Sequence, residues 1–301
     1  MKPVVHEPEN KIRANGIELA YDSFGADDVP PVILIMGFTM PMITWDERFC
    51  EQLADKGLRV IRFDNRDIGH STWLTDAGMP NLRELELSLM TGLPVAVPYK
   101  LQDMAKDVLG LMAALGLETA NIVGMSMGGM IAQTFAILHP ERVRTLTSFA
   151  SSMWTLDPTL PSPASEALEV LMKPLPMDRD GFIAGAMKAW QVIAGPYMPL
   201  TEEYLRNRAE RIFERGVSLP GLARQRAAIM ASGSRRESLR SLNVPTLVIH
   251  GDADPLVRPA HGIATAETIP GAKLHIVKGL GHEVPPAAWS ELIGAIADHA
   301  R

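Results

Sequence analysis

Short apolar runs alternate along this chain with segments of helical spacing, and the alternation lapses once. Two short antiparallel strands are read in "KIRANGIELAYDSFG", where Asn15-Gly16 signals a two-residue hairpin. "PPVILIMGF" (Pro31 to Phe38) is a continuous run rich in Val and Ile, as expected of a strand covered on both faces. A helix from about Trp45 to Lys56, ended by Gly57, leads to a strand in "LRVIRFDN". "QDMAKDVLGLMAALGL" places Met104, Val108, Leu111, Met112 and Leu115 on one helical face. Further strands are read in "NIVGM", "RVRTLTSFASS", "VPTLVIHGDADP" and "AKLHIVKG", with a closing helix from about Pro286 to His299. Strands connected through helices form a mostly parallel sheet, here eight-stranded, with helices on both faces. From Met153 to Asn243 no strand is read, only helices at 165–171, 181–193, 201–215 and 221–232 separated by Pro and Gly. The expected organisation is an α/β core of residues 1–152 and 244–301 with an inserted helical cap at 153–243. The stretch from Trp73 to Tyr99 carries few signals and reads as an excursion with one helical piece.

"NIVGMSMGGMIAQTFA" turns from strand to helix at Ser126, with Gly124 before it and Gly128 and Gly129 after it. Side chains at the carboxyl ends of parallel strands share one crevice. A nucleophile there must protrude from a very tight turn, and small residues two before and two after it relieve the crowding. The helix that follows aims its first N–H groups at whatever the serine attacks. Ser126 is therefore the candidate nucleophile.

A serine hydroxyl needs a base, and in this architecture the expected chain order is Ser, then Asp or Glu, then His. "TLVIHGDADPLV" offers Asp252 and Asp254; Asp254 lies further past the strand-ending Gly251, whereas Asp252 suits a turn cap. "AKLHIVKGLGHEVPP" places His282 in a loop after the last strand, which makes it the candidate base. Among the other histidines, His275 is read as packed in its strand and His250 as lining the crevice. His139 suits a helix end, His70 the pocket rim, and His6, His261 and His299 the surface. The oxyanion formed by attack needs preorganised donors. The N–H of Met127 is one candidate; the other comes from the loop after "VILIMGF", at Phe38 in preference to Thr39, with Gly37 allowing close approach. Met40, Met42, Met125, Met127 and Met153 either fill core gaps or, with Phe38, Trp154, Trp190 and Tyr197, form an adaptable apolar substrate pocket, which Gly37 and Thr39 also line. In "DNRDIGHST", Asp64, Arg66 and Asp67 are expected to tie the turn together by hydrogen bonds.

Taken together, "MGF", "DNRDIGHST", "GMSMGG", "GDADPLV" and "GLGHEVP" resemble the α/β-hydrolase fold superfamily over nearly the whole chain. Within it, "LIMGF…W…F…LADKGLRVIRFDNRDIGHST" looks most like the aclacinomycin methylesterase type, carboxylic-ester hydrolases with a helical cap. The resemblance implies a Ser–His–Asp triad of Ser126, His282 and Asp254 and an oxyanion hole at Phe38 and Met127; chemistry of this kind needs no cofactor. Many relatives have His-Gly where this chain has Met36-Gly37; that histidine is not a triad member. The expected activity is cleavage of an apolar or bulky carboxylic ester through an acyl-enzyme. The same triad could act on a lactone, on a C–C bond or in perhydrolysis, and a ligand-binding module without turnover is a further alternative.

Composition narrows the class. The 301 residues are 47% hydrophobic and 21% charged with net charge −6, and acidic and basic residues are interspersed. This is ample for a large core and leaves no basic footprint for nucleic acid or an anionic membrane. No apolar run reaches membrane-spanning length, and "MKPVVHEPEN" lacks the apolar core of a secretion signal. The single cysteine, Cys50, falls in a helical pattern and reads as a small core residue; with no disulfide to form, a cytoplasmic setting is expected. Metal-ligand spacings are absent. A small-molecule ester is the expected partner, and self-association into a homodimer is left open.

Overall fold

Asn15 and Gly16 both take positive φ, 48° and 78°, the turn that matches strand twist in a two-residue hairpin. In the computed structural model, which describes residues 4–91, 93, 96–173 and 175–301, they join strands β1 (His6–Ala14) and β2 (Ile17–Phe24). β1 starts earlier than its sequence pattern does, because His6 stacks on Phe24 across the pair with ring centroids 4.2 Å apart.

The remaining strands are β3 (Pro31–Ile35), β4 (Arg59–Phe63), β5 (Ala120–Met125), β6 (Val143–Phe149), β7 (Thr246–Gly251) and β8 (Lys273–Val277). They form one sheet of order β1-β2-β4-β3-β5-β6-β7-β8. β1·β2 and β2·β4 are antiparallel and the other pairs parallel. Helices α1 (Glu47–Ala54), α3 (Leu101–Ala114), α4 (Met127–Leu138), α10 (Pro259–Thr268) and α11 (Trp289–His299) cover both faces.

The two-sided burial of β3 follows from its sequence. Val32 and Leu34 pack with Phe49 and Leu53 of α1 and with Leu292 and Ile296 of α11. Ile33 and Ile35 alternate to the other face and meet Val108 and Leu111 of α3 and Ile131 and Phe135 of α4. Cys50 is fully buried beneath the first face, where burial pushes its thiol pKa far up, as suits a core residue.

Between β6 and β7 lie α5 (Ser165–Met172), α6 (Arg179–Ala194), α7 (Glu202–Arg215), α8 (Leu219–Ala231) and the one-turn α9 (Arg236–Leu239), with no strand among the described residues. Phe182, Ile183, Ala186 and Trp190 of α6 pack on Leu205, Ala209 and Ile212 of α7 in a cluster of their own. Met40 touches both this cluster and the sheet core. α9 and α10 are not among the helices read from the sequence: one is too short for periodicity, and the other is built largely of small residues. The 73–99 excursion contains one α-helix, α2 (Leu82–Thr91); residues 92, 94 and 95 lie outside the described residues.

The "DNRDIGHST" turn is tied internally, as read, by the bond from His70 N to Asp64, and by the bond from Leu74 N to Asp67 just beyond it. Its charged residues also reach outward to other elements. Asp64 accepts hydrogen bonds from Met42 N and His70 N and pairs with Arg215 of α7. Arg66 forks onto Asp107 of α3, both N···O distances being 2.6 Å. Asp67 accepts two bonds from Arg224 of α8, at 2.8 and 2.6 Å, and one from the Tyr99 hydroxyl. The Arg224 and Asp67 side chains are both 0% exposed. Replacing Arg224 with Met would strand the Asp67 charge away from water. Breaking such a pair from one side costs about 3–5 kcal/mol. The urea unfolding midpoint of Arg224→Met is expected to fall accordingly, and an unchanged midpoint would contradict this account.

Candidate active site

β5 ends at Met125 and the chain turns at once into α4, which forces Ser126 to φ 55° and ψ −120°. So sharp a turn brings backbone against backbone. A Cβ on Gly124 would lie 2.1 Å from Gly128 O, and one on Gly128 would lie 2.1 Å from Ile35 O. Two glycines flank Ser126 at this spacing because nothing larger fits. The strain is held by hydrogen bonds: Ser126 N donates to Phe149 O, and Ser126 O accepts from Met130 N and the Ser151 hydroxyl. The Ser126 side chain is half-buried and makes no cap bond to α4, so its hydroxyl is not used up structurally.

The segments after β5, β6, β7 and β8 leave the same edge of the sheet and are laced together there. Ala150 N donates to Ile249 O, Asp252 N to Val277 O and Ala253 N to Leu280 O. Within this edge His282 Nδ1 lies 2.7 Å from Asp254 Oδ2. Asp254 is aimed by two backbone donors, Leu256 N and Val257 N, at 2.9 and 2.8 Å from its Oδ1. Asp252 instead accepts from Gly279 N at 2.6 Å, a turn-capping contact. Burial opposes a charge on His282, but the Asp254 carboxylate and its hydrogen bond, with Glu283 adding to them, hold the imidazole pKa above its ordinary value.

Gly37 lies directly against the serine: a Cβ there would be 3.1 Å from Ser126 Cβ and 3.7 Å from its Oγ. Of the two N–H groups weighed in this loop, that of Thr39 is engaged by Gln225 Oε1 at 3.3 Å. Met127 opens α4, and the first N–H groups of a helix have no partner within it.

A sequence profile for the alpha/beta hydrolase fold matches residues 30–285. The chain belongs to the α/β-hydrolase fold family. Rhodomycin D methylesterase DauP of Streptomyces sp. (strain C5) is 26% identical, with 98% of each chain covered. A 2-hydroxy-6-oxononadienedioate/2-hydroxy-6-oxononatrienedioate hydrolase 2 of Pseudomonas putida is 30% identical over 59% of this chain and 61% of its own. A crystal structure of a hydrolase from Pseudomonas aeruginosa PA01 superposes with a TM-score of 0.71 at 25% identity, covering 97% of both chains.

In this α/β hydrolase the residues read as a substrate pocket are dispersed. Gly37 and Thr39 lie in the loop beside Ser126, but Met153 is 1% exposed and belongs to the sheet core, as do Met125 and Met127. Trp190 is buried in the α6–α7 cluster with the Arg208 guanidinium 4.1 Å over its ring. Trp154 is half-buried. Tyr197 is 73% exposed beside the Gly279 turn, so its side chain is not brought together with the others. His261, read as a surface residue, is buried, with Nε2 3.0 Å from Pro161 O. His250 is fully buried, bonded to Val257 O and 3.6 Å from Asp254 Oδ2, and burial holds its pKa below the ordinary histidine value. A cleft of about 390 Å³ that includes Asn121, Thr145, Thr246 and Lys273 lies at the opposite, amino-terminal edge of the strands. Among the described residues no group of three or more His, Cys, Asp or Glu side chains could hold a metal ion, and no helix is long and apolar enough to cross a membrane.

Sequence reasoning missed Glu283, Arg208 and Gln225. Arg208 carried a signal: it falls on the face of α7 otherwise marked by Leu205, Ala209 and Ile212.

Proposed function

We propose that the protein is a serine hydrolase of carboxylic esters in which Ser126 is the nucleophile, His282 the base and Asp254 its orienting acid. The observation that carries this reading is the 2.7 Å contact between His282 and Asp254 at the sheet edge where Ser126 sits in a strained turn. His282 takes the proton from Ser126 as the oxygen attacks the ester carbonyl, and Asp254 stabilises the imidazolium. The N–H groups of Phe38 and Met127 receive the oxyanion, a choice favoured by the engagement of Thr39 N elsewhere. The alcohol leaves, and water activated by His282 releases the acid. No hydrogen bond joins His282 to Ser126 among the described residues; such contacts are commonly long without substrate and tighten in the complex.

The ester is favoured over other bonds because the methylesterase relative matches over 98% of both chains. Cleavage of a C–C bond next to a carbonyl is the second reading, carried by the 30% identity to the Pseudomonas putida hydrolase. We further propose that residues 153–243 cap a core of residues 1–152 and 244–301 and enclose an apolar or bulky ester. The separate α6–α7 cluster supports the division, and so does the bond from His282 N to Ile193 O at 2.7 Å, which ties the end of α6 to the loop of the candidate base.

Labelling with a fluorophosphonate followed by peptide mass spectrometry tests the nucleophile: the adduct is expected on Ser126, and an adduct elsewhere refutes it. Rates on a panel of short and long acyl esters, lactones and a 2-hydroxy-6-oxo-dienoate separate the two readings.

The pH profile follows from His282. Only the neutral imidazole can accept the serine proton, so kcat/KM rises with pH through the His282 pKa. Because that pKa is raised, the acid limb is expected to have its midpoint above about 6.5. A midpoint below that value would contradict the assignment.

A further inference from the structure

The residue after the candidate base, Glu283, is buried, and both its oxygens accept from one guanidinium. Arg208 of α7 donates from Nη1 to Oε2 at 2.8 Å and from Nη2 to Oε1 at 2.9 Å. The two side chains are 7% and 6% exposed. The guanidinium lies 4.1 Å over the ring of Trp190 and 5.8 Å from that of Tyr204, and its Nε has no partner among the described residues. Glu283 is thus the acid to which Arg208 is matched. The same loop is gripped from its other side by α6: His282 N donates to Ile193 O, and a Cβ on Gly281 would lie 2.1 Å from Ala194 O.

A bidentate fork fixes direction as well as distance. A hydrophobic pair could fill the same space without desolvating two charges. What the ion pair adds is a defined loop orientation and a balanced field one residue from the imidazole.

We propose that Arg208 and Glu283 are a positioning pair, through which the seating of α6 and α7 on the sheet edge sets the aim and the charge state of His282. This rests on the reading of His282 as the base. The groups facing the imidazole and its partners are Asp254 on Nδ1, Glu283 with Arg208 behind it, His250 at 3.6 Å from Asp254, and Tyr204 beside Arg208. α7 has other anchors, with Arg211 on Glu47 and Arg215 on Asp64, so loss of Arg208 does not free the helix.

The pair is tested by NMR titration of ¹³C-labelled histidine in a Ser126→Ala background, which needs no activity. Glu283→Gln leaves the Arg208 cation unopposed and is expected to lower the His282 midpoint. Arg208→Gln leaves the carboxylate unopposed and is expected to raise it. Each shift should be about half a unit or more, as expected for a buried charge close to the ring. In the active enzyme, with p-nitrophenyl acetate, the acid limb of kcat/KM should move in the same two directions. Glu283→Asp keeps the charge but shortens the reach; it should leave the midpoint near wild type and lower kcat several-fold at unchanged KM. Shifts of the same sign in Glu283→Gln and Arg208→Gln, or midpoints that superimpose on wild type, overturn the proposal. If one variant does not fold, the sign of the other decides. Retained hydrolysis by Ser126→Ala would instead refute the nucleophile, and the titration would still judge the pair.

Discussion

Ser126→Ala is expected to lower kcat for p-nitrophenyl ester hydrolysis by about 10⁴-fold or more, with the fold intact. The size of the effect comes from what is removed: without the hydroxyl no acyl-enzyme forms, and only the oxyanion donors and substrate positioning remain. Stability should change little. The bonds that hold the turn, from Ser126 N to Phe149 O and from Ser151 and Met130 to Ser126 O, all use its backbone. Alanine at φ 55° meets much the same steric cost as serine. The measurement is steady-state kinetics beside a urea melt. Hydrolysis within ten-fold of wild type at an unchanged melt would remove Ser126 from the chemistry.

Asp254→Asn should cost about 10⁴-fold in kcat at neutral pH, a magnitude seen for the equivalent change in a well-studied serine protease. The geometry gives the reason here. Asp254 Oδ1 accepts from Leu256 N and Val257 N, so the asparagine carbonyl oxygen would take that place. Its NH₂ would then face His282 Nδ1, now 2.7 Å from Oδ2. A donor there forces Nδ1 to accept and moves the ring proton to Nε2, the atom that must receive the serine proton. Asp252→Asn serves as the comparison: its carboxylate caps Gly279 N, and its loss should leave kcat within a few-fold. If the two variants lose activity equally, the choice between the aspartates is wrong.

The sheet was legible because its signals are local. The continuous apolar run of β3, the Asn15-Gly16 turn and the amphipathic face of α3 each follow from a few neighbouring residues and from chain sterics. The need for glycine at 124 and 128 is equally local, since the strand-to-helix turn itself creates the crowding. Chain order and strand position favour Asp254 and His282, which lie 2.7 Å apart in the fold. By contrast, α9 and α10 had too little periodicity to announce themselves. His261 looked like a surface residue because nothing in its own segment records that Pro161 O lies against it.

By itself, then, the chain determined which segments become strands, which turn must be glycine-lined and which residue types could do acyl chemistry, since each depends on interactions within a few residues. Only the tertiary structure decided that Arg208 meets Glu283, that Arg224 meets Asp67, that Thr39 N is taken by Gln225 and that Tyr197 stays in solvent. Those outcomes depend on how α6, α7 and α8 seat against the sheet. The place of Arg208 on the apolar face of α7 marks it as buried, but nothing in either partner's own segment records which residue 75 or 157 positions away it meets.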